Sequence, residues 1–143
     1  MQVNEAFLGY ESVRHRLPAV SESGQCLHLS NLEDLIDEID VFLLDAFGVL
    51  NIGNTAIDGV PERVSKLQNI GKKVIVVSNA GGFPHALLMK KYTNLGYNFD
   101  TEDVITSRKA LLKGLLELPT QKYGLMATES LGRADLENIN ITY

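Results

Sequence analysis

Tryptophan is absent from the 143 residues and cysteine occurs once, at Cys26. A lone thiol closes no disulfide within the chain, which excludes the disulfide-stapled secreted scaffolds and fits a reducing, cytoplasmic setting. No apolar run approaches the roughly 18–20 residues of a membrane-spanning helix. The opening residues 1–16 are polar and acidic early on, without the basic start and apolar middle of a secretory signal. Basic stripes are also lacking. Residues 1–40 hold eight acids and two bases, a charge of −6; residues 41–143 hold ten acids and eleven bases, a charge of +1, which together make the net −5. Contact with a phosphate backbone needs clustered Lys and Arg, so nucleic acid is not an expected partner.

What is present suits a folded core. Hydrophobic residues make up 45% of the chain and charged residues 22%, proportions that exclude disordered, collagen-like and coiled-coil classes. At roughly 150 residues per domain, the length corresponds to one domain or a piece of a larger one.

Residues 1–29 lack clean periodicity and read as a helical or irregular arm. Ser30-Asn31-Leu32-Glu33 has the form of a capping box, from which a short acidic helix over Leu32–Ile39 is predicted. From Val41 the pattern changes. Val41-Phe42-Leu43-Leu44 is a continuous apolar run, as expected of a parallel strand buried on both faces. It stops at Asp45, and residues 47–59 read as a glycine-punctuated loop. Val60, Val64, Leu67 and Ile70 recur on one helical face, with Pro61 in the first turn and Gly71 placed as a C-terminal cap. A second strand, Val74–Val77, stops at Ser78, and a helix runs from Pro84 to about Leu95. A weaker strand around Asp103–Ile105 precedes a helix that Ser107 is placed to cap. Tyr123–Met126 is a candidate fourth strand and Glu129–Ile139 a candidate last helix.

Strand–helix alternation with 33 residues from Asp45 to Ser78 and 29 from Ser78 to Ser107 matches βαβ units of about 30 residues. The expected fold class is α/β, a Rossmann-like parallel sheet with helices on both faces. Right-handed crossovers bring the C-terminal strand ends together, and that edge is where ligands bind in open α/β sheets. Asp45, Ser78 and Ser107 should therefore share a rim. An Asp at such a strand end can act as nucleophile or metal ligand, and the Phe47-Gly48-Val49 amides following it can turn towards an anion. A turn-forming Asp is the alternative.

Leu43-Leu44-Asp45-Ala46-Phe47-Gly48-Val49-Leu50 resembles the first motif of the haloacid dehalogenase superfamily, and Val76-Val77-Ser78-Asn79-Ala80 resembles the second. Ile57-Asp58-Gly59-Val60-Pro61 and Val104-Ile105-Thr106-Ser107 look like the NagD-type phosphatases within it. The resemblance implies an aspartyl-phosphate on Asp45 and a Mg²⁺ held by Asp45 and the Phe47 main-chain carbonyl. It assigns phosphoryl binding to Ser78, Asn79 and Gly48, with a small phosphorylated metabolite as substrate. It also implies an incomplete core. Residues 1–38 would form an arm and acidic helix, 39–121 the N-terminal half of the α/β core, and 122–143 the start of a mostly missing cap domain. The third-motif Lys and fourth-motif acids are absent, and Lys122 and Asp135 do not replace them. The 143 residues alone are then expected to be inactive, with the first strand an edge covered by a second copy, by the missing C-terminal half, or by residues 1–29.

One residue departs from the pattern. The phosphatases carry a proton-donating Asp two residues after the nucleophile, where this chain has Phe47. Loss of a general acid typically costs about 10²–10⁴ in rate, so weakened turnover is expected. A binding or regulatory module without catalysis is the alternative, and a dehalogenase-type attack on carbon a more remote one. Among weaker signals, His85 and Arg108 lie near the rim, where each has a role as a solvated first-turn residue or as a substrate contact. His15, between Arg14 and Arg16, and the pairs Lys72-Lys73 and Lys90-Lys91 read as solvated faces, and Asn51 and Asn54 as loop formers.

Overall fold

The two apolar runs lie side by side as parallel strands in the computed structural model, which describes residues 2–19, 24, 28–118, 120–126, 131 and 133–142. Cys26 lies outside the described residues. The chain divides into two compact units, Met1–Leu32 and Glu33–Tyr143. The first contains helix α1 (Val3–Ser12) and a 3₁₀ turn at Arg14–Arg16, so the arm is partly helical. Among the described residues no helix is long and apolar enough to cross a membrane.

A 3₁₀ turn at Leu32–Leu35 leads into the second unit and is shorter than the predicted helix over Leu32–Ile39. The Glu33 carboxylate accepts from Lys66 and is paired with Arg63. Then come β1 (Val41–Leu44), the two-residue strands β2 (Asn51–Ile52) and β3 (Thr55–Ala56), and α2 (Val60–Asn69). The β2–β3 hairpin lies within what reads from sequence as a plain loop. Next are β4 (Lys73–Ser78), α3 (His85–Asn94), β5 (Val104–Thr106) and α4 (Ser107–Leu116). Two short strands, β6 (Tyr123–Gly124) and β7 (Ile141–Thr142), pair with each other and not with the main sheet. The described residues within 129–139 form turns, so the predicted last helix is not seen there.

The main sheet is parallel, in the order β1-β4-β5. Its register sets Phe42 beside Val74, Leu44 beside Val76, and Val76 beside Val104. Those side chains share one face and are buried or nearly so, packed with Val64 and Leu67 of α2 and Leu88 and Tyr92 of α3. The helix ends show why the elements stop where they do. Gly71, at φ +82°, follows α2 with its N–H on the Gln68 carbonyl, while the Lys72 N–H reaches the Leu67 carbonyl. Gly96, at φ +89°, repeats the arrangement after α3 with the Thr93 and Tyr92 carbonyls. Only a residue tolerant of left-handed backbone closes a helix in this way.

The expected burial of β1 on both faces is not seen: on the opposite sheet face Leu43 is 65% exposed, with Val41, Val77 and Ile105 also exposed. Among the described strands β1 pairs on one side only, with β4. Lys73 is more than a solubilising residue: its ammonium lies 2.7 Å from the buried Asp103 carboxylate, and that hydrogen bond raises the Lys73 pKa. Lys72 reaches Asp40 at 3.1 Å.

Three aromatic rings close the core beneath the β1–α2 connection. Tyr97 stacks on Phe99 at 5.4 Å, and Tyr92 meets both edge-on. The Tyr97 hydroxyl donates to the Leu50 carbonyl at 2.6 Å in a fully buried setting. The same carbonyl also accepts from the Ile57 N–H at 3.0 Å, so replacing Tyr97 by Phe removes one of its two bonds and is expected to cost about 0.5–1.5 kcal/mol of stability, measured by urea unfolding. An unchanged unfolding midpoint contradicts the assignment.

Candidate active site

Parallel pairing carries β1, β4 and β5 out of the sheet at the same edge. Asp45 follows β1, Ser78 ends β4 and Thr106 ends β5. Asp45, Ser78, Asn79, Thr106 and Ser107 line one open cavity of about 520 Å³, with Val77 and Ile105 as its apolar wall. The structure thus brings Asp45, Ser78 and Ser107 together, as the strand spacing predicts, with Asn79 beside them.

The loop after Asp45 is built by local hydrogen bonds. Asp45 Oδ1 accepts from the Ala46 N–H at 2.7 Å, which anchors one carboxylate oxygen. The Ala46 carbonyl accepts from the Leu50 and Asn51 N–H groups, and the Gly48 N–H donates to the Asn51 carbonyl at 2.9 Å. The Asn51 side chain is buried and donates to the Gly53 carbonyl at 2.8 Å. Asn51 is therefore the inner pin of the turn, a larger role than loop former. Gly48 differs from expectation: its N–H is committed to Asn51, so it closes the turn and does not face an anion. The bridge between Phe47 and Asn51 uses the Ala46 carbonyl and Gly48 N–H, and leaves the Phe47 carbonyl outside it. The Phe47 side chain is exposed.

On the β4 side, the Ser78 hydroxyl accepts from the Ala80 N–H at 3.3 Å, which fixes the start of the Asn79–Gly82 turn. Helix α4 is capped by Thr106, whose hydroxyl accepts from the Lys109 N–H at 3.0 Å. Ser107, the expected cap, is the first helical residue and its side chain is left to the cavity.

The weaker signals resolve differently. Arg108 is buried and donates to the Gly81 and Ala134 carbonyls, so it is not a solvated first-turn residue and does not line the Asp45 cavity. His85 donates its main-chain N–H to Asp135 Oδ2 at 3.2 Å and lines a separate cavity of about 240 Å³. His15 is exposed, and its neighbour Arg14 is paired with Glu11 at 2.8 Å.

The sequence profile of the haloacid dehalogenase-like hydrolases matches residues 42–142. The chain belongs to that family. It is 36% identical over 83 residues to phosphoglycolate phosphatase 2 of Arabidopsis thaliana, an alignment covering 58% of this chain and 28% of that protein. It is 29% identical over 114 residues to the 4-nitrophenylphosphatase of Schizosaccharomyces pombe, covering 78% of this chain and 38% of that one. A glycerol phosphate phosphatase from Mycobacterium tuberculosis, solved in complex with magnesium, shares the fold at a TM-score of 0.58 and 21% identity, over 75% of this chain and 32% of that one. The chain spans less than two-fifths of the length of each of these proteins.

In this haloacid dehalogenase-like chain the residue missed by sequence reasoning is Tyr92. It continues the apolar face of α3 four positions after Leu88, a spacing that reads as core packing alone. Its ring is buried, yet its hydroxyl lies within electrostatic reach of Ser78 and of the Asp45 charge. Burial pushes the Tyr92 phenol above its ordinary value of 10.0, the Asp45 charge adds to the rise, and Ser78 opposes it. Burial likewise raises Tyr97, with the Glu62 charge second.

The sign of the linkage follows. A phenol whose folded pKa is raised contributes stability that is present below its unfolded pKa and is lost as pH climbs through the folded value. Thermal melts between about pH 8 and pH 11 should show stability falling above pH 10 more steeply in the native sequence than in Tyr92→Phe. Coincident profiles for the two proteins refute the buried placement of this hydroxyl.

Proposed function

We propose that the protein is a Mg²⁺-dependent phosphatase of small phosphorylated metabolites, acting through Asp45 and slowed by Phe47. The observation that carries this reading is the shared cavity, in which a strand-end carboxylate and the Ser78 hydroxyl face one space. In the reaction an Asp45 carboxylate oxygen bonds to phosphorus as the ester oxygen–phosphorus bond breaks. Water then cleaves the aspartyl-phosphate and returns the carboxylate. Ser78, with Asn79 beside it, holds phosphoryl oxygens and steadies the charge that develops on them. The departing alkoxide needs a proton, and the Phe47 side chain has none to give. Leaving groups that are stable as anions, such as nitrophenolate, escape that requirement.

The chain's own donors fit a magnesium ion in part. Mg²⁺ prefers oxygen ligands, keeps several waters, and is commonly held by one or two carboxylates plus substrate phosphate. Asp45 offers one carboxylate, and the Phe47 carbonyl is not spent on the Asn51 bridge. Among the described residues no group of three or more His, Cys, Asp or Glu supplements them. When bound, the ion neutralises phosphoryl oxygens; the relative solved with magnesium supports this choice.

The remaining parts of the reading concern organisation. Residues 39–121 are proposed as the N-terminal half of the catalytic core and 122–143 as the start of a cap. The open β1 edge and its exposed Leu43 would be covered by the C-terminal half or by a second copy. A cytoplasmic location agrees with the single cysteine. The exposed Phe47 beside Asp45 favours one second reading, a module that binds phosphorylated ligands without turning them over.

With p-nitrophenyl phosphate and Mg²⁺, full-length protein is expected to show activity that Asp45→Asn lowers by on the order of 10³-fold or more. Equal rates in the two proteins reject the nucleophile, and no activity in either favours the binding module. Phe47→Asp should raise turnover of an alkyl phosphate by about 10–10²-fold while changing the nitrophenyl ester little. Steady-state kinetics on both substrates provides the check.

A further inference from the structure

Arg108 follows Ser107, which lines the Asp45–Ser78 cavity, on the first turn of α4, and almost none of it reaches solvent. A buried guanidinium is tolerated only where its five N–H donors and its charge find partners. Here Nη1 donates to the Gly81 carbonyl at 3.4 Å, Nη2 donates to the Ala134 carbonyl, and Nε lies 4.0 Å from Asp135 Oδ2. The same Asp135 oxygen accepts from the His85 N–H at the start of α3. Asp135 holds φ at +63°, the one non-glycine residue at positive φ among those described, a conformation that tertiary contacts must sustain.

Gly81 is the link to the site. It lies three residues after Ser78, in the turn that begins with the Ser78–Ala80 hydrogen bond. A Cβ placed on Gly81 would sit 3.5 Å from Ser107 Oγ, so the turn rests directly on the first turn of α4. Ser107 faces the cavity and Arg108, its neighbour, grips the turn.

We propose that Arg108 is a positioning residue, which fixes the Ser78–Gly82 turn through the Gly81 carbonyl and ties it, through Asp135 and Ala134, to the segment that follows β6. The proposal rests on the phosphatase reading in one respect, that Ser78 and Asn79 bind the phosphoryl group. The planar fork is what the task requires, because one side chain spans two carbonyls and a carboxylate. A lysine supplies a point charge and cannot span all three. The expected dependence is therefore on shape as well as charge.

The test uses full-length protein carrying Arg108→Met, Arg108→Lys or Asp135→Asn, with two readouts. The first is amide hydrogen exchange, independent of activity. Residues 79–82 should exchange about 10-fold faster in Arg108→Met, while β4 stays protected. The second is steady-state kinetics with p-nitrophenyl phosphate together with competition by inorganic phosphate. KM and the phosphate inhibition constant should rise about 10-fold, with a smaller change in kcat, and Arg108→Lys should recover only part of the loss. Asp135→Asn should give the same pattern more weakly. Unchanged exchange at residues 79–82 in a folded Arg108→Met protein overturns the proposal, as does full recovery by Lys. Should Arg108→Met fail to fold, Arg108→Lys decides by the same exchange measurement. A native protein without phosphatase activity rejects the phosphatase reading, while the exchange result still decides the role of Arg108.

Discussion

Everything at the candidate site depends on the parallel pairing of β1 with β4. Setting Leu44 beside Val76 puts the next residue of each strand, Asp45 and Val77, level with one another at the sheet edge, with Ser78 one step beyond. A slip of one residue would reverse which side chains enter the core, burying the Val41 and Leu43 face in place of Phe42 and Leu44. The register is held because Phe42, Val74, Val76 and Val104 form one buried surface against α2 and α3. The hydrophobic effect, acting on four short β-residues, thereby aligns a carboxylate with a hydroxyl. No contact between the two groups is needed to bring them together.

The site is supported from beneath by polar groups that the core would ordinarily exclude. Asn51 closes the turn after Asp45, Tyr97 reaches the Leu50 carbonyl in the same turn, and Tyr92 lies within electrostatic reach of Ser78. Each is buried, and Asn51 and Tyr97 each donate to a backbone carbonyl of the turn. Such groups hold a loop in one conformation at little cost when every partner is present, and at considerable cost when one is removed. The rim can therefore remain open and polar while its foundation is rigid. Phe47 is the exception, a large exposed apolar side chain two residues after Asp45.

Much of the core was legible in the sequence because its signals are local. Val41–Leu44 is recovered to the residue, and the helices beginning at Val60, His85 and Ser107 lie where apolar periodicity and the Gly71 and Gly96 stops place them. The failures share a cause. The Asn51–Ala56 hairpin is too short to leave a periodic pattern. Glu33 suits a helix cap by spacing, but its carboxylate is taken up by Lys66 and Arg63, some thirty residues away. The Glu129–Ile139 stretch reads as a helix, yet its described residues form turns leading into a strand that pairs with Tyr123–Gly124.

Composition, spacing and strand-end residues by themselves determined the α/β class, the order of the elements and the meeting of Asp45 with Ser78. Periodicity and the geometry of βαβ units dictate these without reference to distant contacts. Tertiary structure alone decided that Gly48 closes a turn, that Tyr92 comes within reach of Ser78, and that Arg108 turns inward to Gly81 and Asp135. A donor commits to whichever acceptor the folded chain brings within 3 Å or so. That choice depends on packing between segments far apart in sequence, which no local pattern encodes.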